Sequence, residues 1–228
     1  MPVFNETAIT LATSLLLTGI SMPATAKDIS PSQATYALNF DGKTGTATRT
    51  LSKNGDTFTY KVTARAAGVA TANQSSTVRL SGNNIVPSNA STSYKVAGVG
   101  RTHTIKFNGK QAVSSYKGKN TTIATPNGAY DELSLELQIR QELLNNKFSG
   151  NYVLIKKTDS EPTIFRKAGN TTISVPAGTF QTVRIDRVHS DKNRSTSFWL
   201  APSLDYLPVK VSQTNDGKTI AMQLTKIN

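Results

Sequence analysis

Apolar residues recur at every second position along most of this chain. In the stretch TFTYKVTA, Phe58, Tyr60, Val62 and Ala64 fall on one face and Thr59, Lys61 and Thr63 on the other, the pattern of a strand buried on one side only. Tyr36, Leu38 and Phe40 alternate in the same way, as do His103-Ile105-Phe107, Val183-Ile185, Val209-Val211 and Ile220-Met222-Leu224. Short turn signals separate these runs: Asn54-Gly55-Asp56, Gly82-Asn83-Asn84, Asn108-Gly109-Lys110, Lys117-Gly118-Lys119, Ala168-Gly169-Asn170, Pro176-Ala177-Gly178 and Asn215-Asp216-Gly217-Lys218. The spacing predicts about ten or more strands. Connections this short bring neighbours together antiparallel.

One segment departs from period two. Residues 130–146 read YDELSLELQIRQELLNN, free of Gly and Pro and rich in Leu, Glu and Gln, with acids at the start, so they predict a helix. A strand is the competing reading, since Leu133, Leu135, Leu137 and Ile139 also alternate. As a helix, Leu133, Leu137, Arg140 and Leu144 lie near one line with Ile139 and Leu143 beside it, and Glu136 pairs with Arg140 at i,i+4. The fold class expected is mainly β: an antiparallel curved sheet or open β-barrel with one amphipathic helix against its concave face. Residues 36–228 read as a single β domain. Residues 27–35, polar and without alternation, read as a flexible leader.

The first residues bear on compartment. Ala8 to Ile20 form an uncharged apolar run of 13 residues, short of the about 20 that span a bilayer as a helix. The small-x-small pattern Ala24-Thr25-Ala26 follows, so 1–26 reads as a signal peptide cleaved before Lys27. The n-region MPVFNET departs from the usual pattern in carrying Glu6 and no Lys or Arg. The expected location is the periplasm. With no cysteine in the chain, the mature protein carries neither disulfide nor lipidated Cys and must rely on its core. Removal of Glu6 takes the 14 acidic residues to 13 and leaves all 26 Lys and Arg, a mature charge of +13. Such a charge draws the protein toward anionic headgroups and glycans, with peripheral membrane contact, and export excludes nucleic acid as the partner.

Three stretches near the C-terminus, VPAGTFQTVRI, STSFWLAPSLDYLPVKV and TIAMQLTKI, resemble the C-terminal signature of an exported bacterial family catalogued as domain of unknown function 3108. The opening hairpin YALNFDGKTGTATRTLSKNGDTFTYKVTARAAG, the strand SGNNIVPSNAST and the helix YDELSLELQIRQEL resemble that family too, so the likeness covers nearly all of 36–227. The resemblance implies a fold and an envelope location. A curved sheet with a helix in its concavity is also similar to periplasmic lipoprotein carriers and outer-membrane lipoprotein receptors, which hold acyl chains in a half-barrel; fold likeness alone does not carry function. Within the signature, Trp199 reads as a core anchor, and Pro202 and Pro208 bracket a bend.

Reactive groups do not converge. His103 and His189 lie in no metal-ligand spacing, there is no GxSxG, and Asp131, Glu132, Glu136, Asp186 and Asp205 are acids with ordinary structural uses at helix starts, strands and turns. No catalytic residue and no cofactor is assigned. The expectation is a non-enzymatic periplasmic binding or carrier protein for an amphipathic, anionic cell-envelope component such as a lipid, with Leu133, Leu137, Ile139, Arg140, Leu143 and Leu144 as the ligand-binding face. The alternative is an envelope-assembly or cell-wall-associated interaction module without a small-molecule site, in which those leucines complete a dry core.

Overall fold

The structure, a computed structural model, describes residues 27–66, 70–125 and 127–228. The alternating runs form β1 (Ser32–Phe40), β2 (Lys43–Asn54), β3 (Thr57–Ala66), β4 (Ala70–Ser81), β5 (Asn84–Val96), β6 (Val99–Asn108), β7 (Gln111–Tyr116) and β8 (Lys119–Ala124). After the helix α1 (Glu132–Leu144) come β9 (Asn151–Ile155), β10 (Ser160–Val175), β11 (Gly178–Val188), β12 (Arg194–Ala201), β13 (Leu207–Asn215) and β14 (Lys218–Ile227). Every ladder is antiparallel, in the order β8-β7-β6-β5-β4-β3-β2-β1-β14-β13-β12-β11-β10-β9. The first strand therefore lies in the middle of the sheet, paired with the last, and the meander rolls up from both sides.

The two edges, β8 and β9, meet at a seam that makes the barrel nearly closed. Tyr130, just before the helix, bridges β9: its N–H donates to the Val153 carbonyl at 2.9 Å and its carbonyl accepts from Ile155 N–H at 2.9 Å. Ile105, Ala112 and Ile123 from β6–β8 pack against Ala129 and Ile155 across the same seam. Ser114 Oγ spans it as well, donating to the Lys157 carbonyl at 2.7 Å. Outward positions are largely polar, as in Thr46, Thr48 and Thr50 of β2 and Lys61, Thr63 and Arg65 of β3. That is the inverse of a barrel that faces lipid.

Asp131 starts the helix with a capping box: its carboxylate accepts from the N–H groups of Leu133 and Ser134 while Ser134 Oγ accepts from its own N–H. Residues 133–143 of α1 are all buried, so the amphipathic helix expected from the sequence is corrected to one enclosed on all sides. One side, Leu133 and Leu137, packs with Ile29, Leu51, Phe58 and Ile85. The other, Leu135, Ile139 and Leu143, packs with Tyr152, Leu154, Phe165 and Ile185. Polar helix residues survive burial because the barrel wall supplies partners. Gln138 Oε1 accepts from Ile85 N–H at 2.7 Å, Gln141 Oε1 accepts from Ile29 N–H at 3.1 Å, and Glu142 accepts from Tyr152 Oη at 2.6 Å and Ser149 N–H at 2.9 Å.

The segment expected to be a flexible leader is instead tied to the barrel, with Ile29 in the core. Ile29 is 2 % exposed, Lys27 donates and accepts hydrogen bonds with Asn145 and Gln141, and β1 begins at Ser32. The physical reason is that Ile29, though isolated in sequence, closes the end of the barrel beneath the helix. The signal-peptide reading of 1–26 lies outside the described residues.

Leu137→Ala is expected to destabilise the protein by about 2–5 kcal/mol, because Leu137 is fully buried among large side chains. Leu144→Ala, at a half-buried position, should lose well under half as much. Denaturant titration of the two variants checks the contrast; equal losses would contradict this packing.

Candidate functional site

Side-chain size along the strands leaves a chamber. Inward positions of β3 run Phe58, Tyr60, Val62, Ala64, Ala66, and those of β4 run from Leu80 and Val78 to Ala72 and Ala70, so large residues fill one end and alanines line the other. The ladder stacks the small ones, Ala64 opposite Ala72 and Ala66 opposite Ala70. Across the interior the wall is bulky: Phe165, Ile185, Phe198, Leu200, Val211 and Met222. Between these walls lies a cavity of about 480 Å³, open at the end where β3 stops and β4 starts. That volume is within the range of about 300–1,000 Å³ usual for small-molecule sites.

The helix contributes Glu132, Leu133, Leu135, Glu136 and Ile139 to the chamber. Of the six residues expected to bind ligand, Leu133 and Ile139 line it. Leu137 and Leu143 sit in packed clusters to either side, Leu144 is half-buried against the first, and Arg140 lies outside the lining. The cavity-facing stripe is turned from the expected one by a single residue, about 100° of helix. Of the wall alanines, Ala64 was read only as an inward strand position, and Ala66, Ala70 and Ala72 were missed. Their signal was present as small residues at alternate positions in Ala64, Ala66, Ala70 and Ala72, the places where a strand core would otherwise carry Val or Phe.

Charge in the chamber is concentrated at one buried constellation. Arg49 of β2 donates to Glu136 and, at 2.9 Å, to Tyr60 Oη, whose hydroxyl donates to the second Glu136 oxygen at 2.6 Å. This corrects the expected Glu136–Arg140 pair: the carboxylate reaches across to the barrel wall instead of along its own helix. Burial works against the charge on Arg49, yet Glu136, Tyr60 and Tyr36 more than offset it and hold the guanidinium protonated. Burial pushes the Tyr36 hydroxyl up to about 12, with Arg49 pulling the other way, and raises Tyr60 as well. Tyr36 Oη donates to the Pro208 carbonyl at 2.8 Å, so both phenols are neutral structural donors.

Arg140, 1 % exposed, donates through Nε to the Asp205 carbonyl at 3.1 Å, and its Nη1 has no partner among the described residues. The bend bracketed by Pro202 and Pro208 places that carbonyl there, with Asp205 and Tyr206 both left-handed at φ 50° and 57°. The Asp205 carboxylate turns to Lys27 at 2.9 Å. Burial would raise its pKa, but hydrogen bonds from Lys27 and Ser30 and the charges of Lys27 and Arg140 hold it below the usual range. At the other end, Arg187 lines the cavity beside Thr196 and Gln213 and pairs with Glu161 at 2.7 Å.

Trp199 is half-buried and packs at the margin of the cluster of Tyr36, Leu207, Val209 and Leu224 and not at its centre. Because Phe198 faces the cavity, the strand's alternation turns Trp199 to the opposite face, half-buried, where it meets the Arg184 guanidinium at 5.3 Å and the Lys210 ammonium at 4.8 Å from its ring centre.

The histidines serve the scaffold. His103 Nε2 bonds Ser114 Oγ at 2.9 Å, behind the seam contact to Lys157, and His189 Nε2 bonds Thr196 Oγ1 at 3.0 Å. Burial lowers both pKa values, helped by Lys157 at His103 and by Arg187 and Arg194 at His189. A folded-state pKa below the unfolded one means stability that is present above the ordinary His value, about 6.5, and is lost as pH falls through it. The denaturation midpoint should therefore drop from pH 7.5 to about pH 5.5. His103→Gln with His189→Gln should flatten that drop; an unchanged slope would assign it to other groups.

A nearly closed antiparallel barrel, filled at one end by a helix and open at the other over an apolar chamber, defines a barrel-like β protein whose interior is built around a cavity. The chain belongs to the DUF3108 family, a protein family of unknown function, whose profile matches residues 33–225. The resemblance read from the C-terminal stretches is thus the family itself. A solved structure of the same fold is the crystal structure of a beta-barrel-like protein of domain of unknown function DUF1849 from Brucella abortus. It is 11% identical, with a TM-score of 0.59 over 89% of this chain and 98% of that one. No curated protein sequence matches the chain.

Proposed function

We propose that this protein is a non-enzymatic periplasmic binding or carrier protein for an amphipathic, anionic cell-envelope component such as a lipid, exported by cleavage of residues 1–26. The observation that carries the reading is the open cavity of about 480 Å³, walled mainly by apolar side chains, with the Arg49–Glu136 pair and a few other polar groups among them. An acyl chain suits the stretch between the alanines of β3–β4 and Phe165, Phe198 and Met222. Arg187, Thr196 and Gln213 are placed to meet a polar head. An apolar chamber of this size is a poor place for a freely soluble polar metabolite, whose hydrogen bonds it would leave unmade.

The test is native mass spectrometry, with lipid extraction, on protein purified gently from the periplasm. A stoichiometric bound lipid or glycolipid is the expected result. A clean protein mass, with no stabilisation by envelope lipids, would sink the carrier reading and turn the search to protein and cell-wall partners.

A further inference from the structure

The exposed apolar residues of this barrel are unevenly placed. Of the seven large hydrophobic residues that stand exposed among the described residues, Tyr94, Val96, Val99, Val188 and Ile220 lie at the open end of the cavity; only Val86 and Ile227 lie at the other. Three of the five belong to a single hairpin tip. Residues 94–99 at the β5–β6 turn are all exposed, with Val99 at 65 %, the most exposed of the seven. The tip also projects. Pairing of β6 with β7 begins at His103, so residues 99–102 extend past the neighbouring hairpin.

Its turn chemistry is out of keeping with the rest of the molecule. Asp41-Gly42, Lys117-Gly118 and Asp216-Gly217 turn with both residues left-handed and put a charged residue first; Ala97-Gly98 uses the same geometry, φ 47° and 82°, with an apolar one. Asn or Asp is favoured at that position, so a local preference has been passed over to keep the tip VAGV apolar.

Charge completes the surface. Lys95 and Arg101 flank the tip, and Lys117 and Lys119 stand on the adjacent β7–β8 turn. Residues 57–130, which form β3 through β8 and the seam, contain nine Lys and Arg and no Asp or Glu. A small apolar tip set in a cationic wall of one sign matches a surface that is apolar beneath and anionic on top. A protein partner would be expected to need a broader patch.

We infer that the open end of the barrel docks on an anionic lipid bilayer, with Val96, Ala97 and Val99 entering the headgroup region and Lys95, Arg101, Lys117 and Lys119 on the phosphates. Tyr94 and Val96 also line the cavity, so docking sets the mouth against the membrane. The inference shares the envelope location of the function proposed above but does not depend on what fills the cavity.

The chain has no cysteine, so one introduced thiol labels one place. Val99→Cys and Val86→Cys, each carrying an environment-sensitive fluorophore, are mixed with vesicles of phosphatidylethanolamine and phosphatidylglycerol or of phosphatidylcholine alone. A blue shift is expected at position 99 on the anionic vesicles only, and none at position 86. V99D, and separately the pair K95E and K119E, should weaken vesicle binding by about tenfold or more, since each removes the apolar or the electrostatic half of the contact. Equal shifts at both positions, an equal shift on neutral vesicles, or undiminished binding by both variants overturns the inference; the absence of any shift does so too and leaves the tip to a protein partner. The mass of ligand carried by V99D should equal that of the unaltered protein, which separates failure of docking from failure of the cavity reading.

Discussion

Replacing Glu136 by Leu should destabilise the protein by about 3–5 kcal/mol, read as a lowered denaturation midpoint, because it leaves the Arg49 guanidinium buried without its carboxylate. Arg49 is 5 % exposed and Glu136 9 %, so water cannot readily replace the lost partner. Removing both charges is a different experiment. Glu136→Leu with Arg49→Met exchanges the ion pair for apolar volume and should recover most of the loss, since replacing a buried pair outright is often close to neutral. Tyr60 loses both of its partners in the double variant, which sets a residual of about 1–3 kcal/mol. If the single and double variants fall equally, the pair is not what holds this part of the helix to the wall.

Under the proposed carrier function, Ala72→Trp should abolish ligand binding while leaving the protein folded. Ala72 is half-buried, faces Ala64 across the ladder and lines the chamber, so an indole there grows into open space and not into packed neighbours. Added apolar burial tends to raise stability where it meets no clash. A fall in ligand occupancy of at least about tenfold, equivalent to about 1.4 kcal/mol, is the expected result by native mass spectrometry. A variant that keeps full occupancy would place the ligand elsewhere on the molecule. Against Leu137→Ala the comparison is sharp: one substitution removes core and lowers stability, the other adds bulk to the cavity and removes binding.

Strand alternation, most of the turns and the 130–146 segment were legible because they are local: parity of side chains and turn chemistry need only a few neighbouring residues. They were enough for the antiparallel β class and the single helix, while the family came from the resemblance of particular stretches such as STSFWLAPSLDYLPVKV. Ala168-Gly169-Asn170, expected to be a turn, is instead a bulge inside the 16-residue strand β10, where pairing with β11 continues on both sides of the glycine. The burial of the helix was less legible. Glu136, Gln138 and Gln141 are interior groups because of partners more than fifty residues away in sequence, Arg49, Ile85 and Ile29. Trp199 fell to the outer face for a similar reason, since its neighbour Phe198 claimed the inner one.

What the sequence determined by itself is the repertoire of elements and their sidedness, because hydrophobic period and turn residues act within a few positions. What only the tertiary structure decided is which inward faces meet. The meander rolls from both sides of β1 and β14, and this brings the alanines of β3 and β4 opposite the large side chains of β10 to β14. The mismatch between a small-residue wall and a bulky one leaves the chamber open, and no single strand carries that mismatch.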